Sequence, residues 1–126
     1  MNKIEELQKM IDDSHDIVFF GGAGVSTDSG IKDFRGKDGL YKEKYKIPPE
    51  YMLSLDCFYS HTKEFYEYYK EKLNCLDVKP NITHIYLSKL EETGKLKAVV
   101  TQNIDGLHQK AGSNNVLELH GTIYKN

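Results

Sequence analysis

An α/β domain built on a parallel sheet is the fold class this sequence predicts, and three observations predict it. Nearly uninterrupted apolar runs stand at 17–20 ("IVFF"), 97–101 ("KAVVT") and 116–119 ("VLEL"), the pattern of short strands buried between helices. Segments with helical spacing separate these runs, and strands alternating with helices imply right-handed crossovers. Each run also ends in a loop rich in Gly, Asn, Asp or His, at the carboxyl end of its strand, where open α/β sheets bind ligands.

Taken in order, Ile4, Leu7 and Ile11, widened by Met10, recur at helical spacing and predict a first amphipathic helix. The polar break "DDSHD" precedes the first strand, which runs straight into a glycine loop at 21–30 and is expected to be buried on both faces. "KDGLYKEKYK", residues 37–46, is polar and aperiodic and reads as a mobile loop. From "PPEYMLSLDCF" the pattern turns helical, with Phe58, Phe65, Tyr69 and Leu73 on one face, a helical insertion outside the sheet. Pro80 and Asn81 break the chain, and Thr83 is placed to cap a helix whose stripe is Ile82, Ile85, Tyr86 and Leu90, ended by Gly94. After the second strand "IDGLHQKAG" reads as a loop and short helix stopped by Gly112, and the third strand follows.

Composition limits the function classes. The chain has 126 residues, enough for one domain with a core, and its 39% hydrophobic and 29% charged residues describe a globular chain. With a formal net charge of −2 and lysines interleaved with glutamates, it lacks the basic surface of a nucleic-acid binder. No apolar run reaches membrane-spanning length and the charged N-terminal segment has no signal-peptide core, so no membrane partner and a cytoplasmic location are expected. Cys57 and Cys75 have no neighbour at metal-ligand spacing and read as reduced, structural cysteines, so no metal site is expected in this chain.

The loops after the strands carry the chemistry. "GGAGVSTDSG" offers backbone bare enough to approach a pyrophosphate at Gly22, Ala23 and Gly24, or simply a tight turn. A dinucleotide fingerprint would place a third glycine where Thr27 stands and an acid about 20 residues on. Neither is present, which argues against an ordinary dehydrogenase. "DFRG" sets Asp33, Phe34 and Arg35 side by side, either as a surface ion pair beside a core ring or as a phosphate holder with a flat cover. "TQNIDGLH" puts Gln102, Asn103 and Asp105 at a strand end, able to read a carboxamide or ribose hydroxyls, or to build an Asx turn with Gly106. His120 stands at the top of the third strand as a structural residue or a general base. His15, His61, His84 and His108 have no comparable setting and read as structural or exposed.

Taken together, "GAGVSTDSGIKDFRG", "TQNIDGLHQKAG" and "LELHGT", in this order and spacing, resemble the sirtuin family of NAD-dependent protein lysine deacylases. "KPNITHIYLSKLEETGKL" and the stretch from "PPEYMLSLDCF" to "EFYEYYKEKL" look like the helical module of bacterial members. The resemblance implies a partial Rossmann-like sheet, with 1–36 and 81–126 forming the NAD-binding portion and 37–80 the cofactor loop and helical module. It implies that Gly22, Ala23, Gly24 and Ser26 contact phosphate and that Asp33, Phe34 and Arg35, with Ile31 beside them, cover the nicotinamide ribose. It further implies that Gln102 and Asn103 order ribose and water, that Ile104 and Asp105 hold the nicotinamide carboxamide, and that His120 is the catalytic base, with Asn103 assisting.

In the chemistry so implied, the acyl oxygen of an acylated lysine attacks the nicotinamide ribose and nicotinamide leaves. The histidine then takes a proton from a ribose hydroxyl, and the products are nicotinamide and O-acyl-ADP-ribose. Positive charge grows on the ribose in the first step, so a strained carboxamide and a shielding ring both favour it.

Departures from the family pattern are Lys32 in place of a common proline and Gly21 in place of a frequent threonine. The sequence given also stops at "HGTIYKN", before the family's paired-cysteine zinc motifs and the strands completing the sheet. Zinc and the C-terminal half of the sheet are therefore not expected here, and the 126 residues alone are expected to show little or no deacylase activity. Two alternatives stand beside the enzyme reading: a noncatalytic NAD- or ADP-ribose-binding module, and a truncated interaction fragment.

Overall fold

The computed structural model describes residues 1–32, 51, 54–70 and 76–124. Helix α1 (Lys3–Asp13) begins at Asn2, whose side chain accepts the Glu5 N–H at 2.8 Å while the Glu5 carboxylate accepts the Asn2 N–H at 3.0 Å. This reciprocal cap satisfies two donors that a helix start otherwise leaves open. Strand β1 (Ile17–Gly21) leads into a 3-10 helix, Ala23–Ser29, that Gly30 terminates at φ 96°. Helices α2 (Leu55–Ser60) and α3 (Thr62–Tyr68) form the helical insertion. Helix α4 (Ile82–Glu92), strand β2 (Leu96–Thr101), the single-turn helix α5 (Leu107–Lys110) and strand β3 (Val116–Glu118) complete the order.

The sheet is parallel throughout, in the order β1-β2-β3. Phe19 pairs with Val99 and Val99 with Val116; Gly21 pairs with Thr101 and Thr101 with Glu118. That register ends all three strands at one level, so the loops after them emerge side by side. The Gln102 N–H donates to the Gly21 carbonyl and the Leu119 N–H to the Thr101 carbonyl, both at 3.0 Å, carrying the ladder to the edge of the site.

The core lies on one face of the sheet. Leu87 and Leu90 of α4 pack on Leu96 and Val99 of β2, with Ile11, Ile17, Phe19 and Val116 around them. Each of these buried aliphatics contributes about 1.5–3 kcal/mol through lost contact with water. The strand runs were expected to be buried on both faces, and here the structure differs. Val18 is 60% and Phe20 62% exposed, with Leu117 and Leu119 also exposed, because the described helices cover only the opposite face. The stripe expected on α1 is likewise open at Ile4, Leu7 and Met10; only Ile11 reaches the core.

Two local expectations shift. The cap of α4 is Asn81 rather than Thr83: the Asn81 side chain accepts the Thr83 N–H at 2.9 Å. The inward face of α4 is His84, Leu87, Ser88 and Leu90, while Ile82, Ile85 and Tyr86 are exposed. Of the predicted stripe only Leu90 is buried. The insertion is two helices hinged at His61, which leaves helical geometry at φ −133°, ψ 55°. Phe58 collects the rings of Phe65 at 5.2 Å, Tyr59 at 5.1 Å and Tyr66 at 5.9 Å, next to buried Cys57 and Tyr68. The loop read at 37–46, together with Leu73 and Cys75, lies outside the described residues. Among the described residues no helix is long and apolar enough to cross a membrane.

Candidate functional site

The loops after β1 and β2 are tied to each other, and to the start of α4, by a buried polar cluster. Ser26, inside the 3-10 helix after β1, is fully buried. Its hydroxyl donates to Asp105 Oδ2 at 2.6 Å and accepts from Asn103 Nδ2 at 3.2 Å. Asn103 also donates to the Gly22 carbonyl at 2.9 Å. Asp105 Oδ1 accepts the Leu107 N–H at 3.0 Å, which starts the single turn of α5. The loop after β1 and the loop after β2 therefore share one network.

Helix α4 supplies the third party. The Asn81 N–H donates to His84 Nδ1 at 3.1 Å, so Nδ1 is an acceptor and the ring hydrogen resides on Nε2, 3.4 Å from Ser26 Oγ. Ser26 Oγ thus donates once and accepts twice, and its capacity is filled. Burial holds the His84 pKa below the ordinary range, opposed by the Asp105 charge, which agrees with a neutral ring fixed in one tautomer. Asn81 Nδ2 reaches the other way, to the Val25 carbonyl at 2.7 Å and Ser29 Oγ at 3.0 Å. One residue both starts α4 and grips the 3-10 helix.

His108 of α5 completes the interior of the site. It is 1% exposed, edge-on to His84 with ring centroids 4.8 Å apart, and 6.1 Å from Phe19. Neither of its ring nitrogens has a hydrogen-bond partner among the described residues. Burial, then the neighbouring His84, push its pKa down to about 4 against the pull of Asp105.

The predicted residues fall as follows. Gly22 is extended, and a side chain there would come within 2.9 Å of Gln102 Oε1. Gly24 is exposed and a Cβ on it would meet nothing within 4 Å, so its backbone is open to an approaching group. Ala23 and Gly24 open the 3-10 helix, where N–H groups have no partner further back in the helix and suit an anion. The Ile31 N–H closes on the Ser26 carbonyl at 3.3 Å. The Ile104 carbonyl accepts the Ile123 N–H at 3.0 Å. His120 is exposed just past β3, beside the loops but outside the buried cluster. Asp33, Phe34 and Arg35 lie outside the described residues.

Gly21, where the family pattern has threonine, also has a local reason. A Cβ there would lie 2.6 Å from the Phe19 ring, so the ring occupies the space a side chain would need.

Sequence reasoning missed His84, Asn81 and His108. The signal for the first two was present: Asn-x-x-His ahead of an apolar run is a capping pair in which the histidine returns a bond to the cap. For the zinc implied by the family pattern, no group of metal donors is found among the described residues, where Cys57 is buried alone.

A parallel sheet with polar loops converging at its carboxyl edge and a glycine-opened backbone there is the arrangement in which α/β proteins place their ligand sites. The Sir2 family model matches residues 22–126, and the chain belongs to that family. An NAD-dependent protein deacetylase of Clostridium acetobutylicum is 59% identical over the whole of this chain, which covers 52% of that protein. A Sir2 structure with a deacetylated p53 peptide and 3'-O-acetyl ADP ribose superposes with TM-score 0.88 at 48% identity, covering 97% of this chain and 48% of that one. A Sir2 complex with p53 peptide and NAD+ gives 0.81 at 46%, covering 97% and 47%. The chain spans about half the length of the curated relatives it matches.

Proposed function

We propose that this chain supplies the nicotinamide-ribose side of an NAD-dependent protein lysine deacylase, with deacetylation of an acylated lysine as the reaction. The observation that carries the reading is the Ser26–Asp105–Asn103 network, which locks the glycine loop to the loop after β2 at the carboxyl edge of the sheet. Open backbone at Gly24, with Ala23 beside it at the start of the 3-10 helix, supports a phosphate contact, and Ile104 with Asp105 is the pair assigned to the carboxamide. Bound NAD supplies an electrophilic ribose carbon and a nicotinamide leaving group.

The chain's own residues prepare that site. Ser26 acts from within, holding the Asp105 carboxylate in place; two of the carboxylate's lone-pair sites remain for an amide donor. Asn103 holds the carbonyl of Gly22 and so sets the path of the glycine loop. His84, neutral and tautomerically fixed, closes the network without adding a positive charge to the site. His120, exposed at the strand end, is free to meet a ribose hydroxyl and take its proton.

Calorimetric titration of the polypeptide with NAD, and nicotinamide release with an acetyl-lysine peptide, test the reading. Cofactor binding with little release is expected from the 126 residues alone. Release that disappears in His120→Ala would show them sufficient for turnover. Binding with no release even when the protein carries the second half present in its relatives would favour a noncatalytic module, and absence of NAD binding would refute the proposal.

A further inference from the structure

The residues just past His120 fold back over the loop that follows β2. The Ile123 N–H donates to the Ile104 carbonyl at 3.0 Å, and Thr122 Oγ1 reaches the same carbonyl at 3.5 Å. The Tyr124 ring then lies on Gly106, so closely that a Cβ on Gly106 would stand 2.6 Å from Tyr124 Cε2. Residues 121–124 are a strap across the turn formed by Asn103, Ile104, Asp105 and Gly106.

Lys110 closes the strap. Its ammonium lies 5.6 Å from the centre of the Tyr124 ring, within cation–π range, and donates to the Leu76 carbonyl at 2.9 Å and the Val78 carbonyl at 3.3 Å. Its own N–H donates to the Gly106 carbonyl at 3.0 Å. Three segments, the approach to α4, the turn and the strap, therefore meet at one residue: the turn through the backbone N–H of Lys110, the other two through its ammonium. An exposed lysine loses rotamer freedom when fixed this way, and the three contacts together offset that loss.

We infer that Lys110 is a positioning residue: by clamping the strap it fixes the Ile104–Asp105 turn that faces the nicotinamide carboxamide. The inference rests on the functional reading above for the identity of that ligand. It predicts a selective effect. A ligand that carries nicotinamide depends on the turn, whereas ADP-ribose, which lacks nicotinamide, depends on the glycine loop.

Lys110→Met keeps the aliphatic stem and removes the charge, and Lys110→Arg restores a cation able to meet carbonyls and a ring face. In the intact polypeptide, Lys110→Met is expected to speed amide hydrogen exchange at Ile123 and Leu107 about tenfold while Val99 and Val100 keep their protection. It is also expected to weaken NAD binding about tenfold and ADP-ribose binding by less than about twofold, with Lys110→Arg returning all values toward the parent. Unchanged exchange at Ile123 and Leu107 overturns the inference. So does a rise spread equally over the β2 amides, which would make Lys110 a general staple of the fold, or an equal loss of NAD and ADP-ribose affinity. If the parent binds neither ligand, it is the functional reading that fails, and the exchange pattern still decides whether Lys110 holds the turn.

Discussion

Acidifying the protein should destabilise it through His108. This ring is 1% exposed, has no hydrogen-bond partner at either nitrogen among the described residues, and keeps a pKa of about 4 in the folded state against an ordinary 6.5. The unfolded chain therefore binds more protons than the folded one between those two values, and stability must fall as pH falls. Linkage over the whole shift is worth about 3 kcal/mol, of which about 2 kcal/mol is lost between about pH 7 and about pH 5. His84 adds to the loss in the same direction. Glu91, whose carboxylate accepts the Asn115 and Asn114 N–H groups, has a lowered folded pKa, so its contribution persists through this window and disappears only at lower pH. Urea denaturation followed by circular dichroism at a series of pH values measures the slope. His108→Phe keeps a ring against Phe19 and His84 while removing the titration. It should flatten most of the dependence and be neutral or stabilising by about 1 kcal/mol at neutral pH, because a buried unpaired polar ring carries a desolvation cost. A parent whose stability is flat from about pH 7 to about pH 5, or a variant with the parent's slope, would refute the argument.

Two further perturbations probe the site. Ser26→Ala strips Asp105 of its shortest donor and Asn103 of an acceptor; a loss of about 1–3 kcal/mol in denaturation and weakened NAD affinity by calorimetry are expected, and an unchanged midpoint would show that the cluster is not holding the loops. Gly106→Ala forces a side chain into a left-handed conformation at φ 69° and against the Tyr124 ring; a cost of about 1–3 kcal/mol should appear as a lowered Tm, with a smaller loss when Tyr124→Ala is combined with it.

How much was legible depends on whether a local pattern carried the information. The three strands were readable because apolar runs such as Ile17 to Phe20 lie between polar breaks, and the short helix after β2 because Gly112, at φ 108°, marks its stop. Burial was less readable. Ile82, Ile85 and Tyr86 look like an inward stripe by hydropathy, yet His84 and Ser88 take the inward positions, since the loop network supplies His84 with partners that a periodicity count does not see. The two interior histidines were hidden for the same reason. His84 and His108 are isolated in sequence and become a pair only when α4 and α5 are folded against the same loops. The loop residues Gly22, Gly24, Asn103 and Asp105 stood out because bare backbone and amides at strand ends have few other uses.

The links that make the cluster are long. Ser26 meets His84 across 58 positions and Asp105 across 79. Contacts of such separation form late, because chain entropy must be surrendered before they return any stabilisation. The cluster is therefore expected to form with, and not before, the pairing of β1 and β2, from whose ends its loops emerge. If the proposed cofactor binds at these loops, its binding reports on completed folding, and the bound state is expected to open more slowly at the sheet.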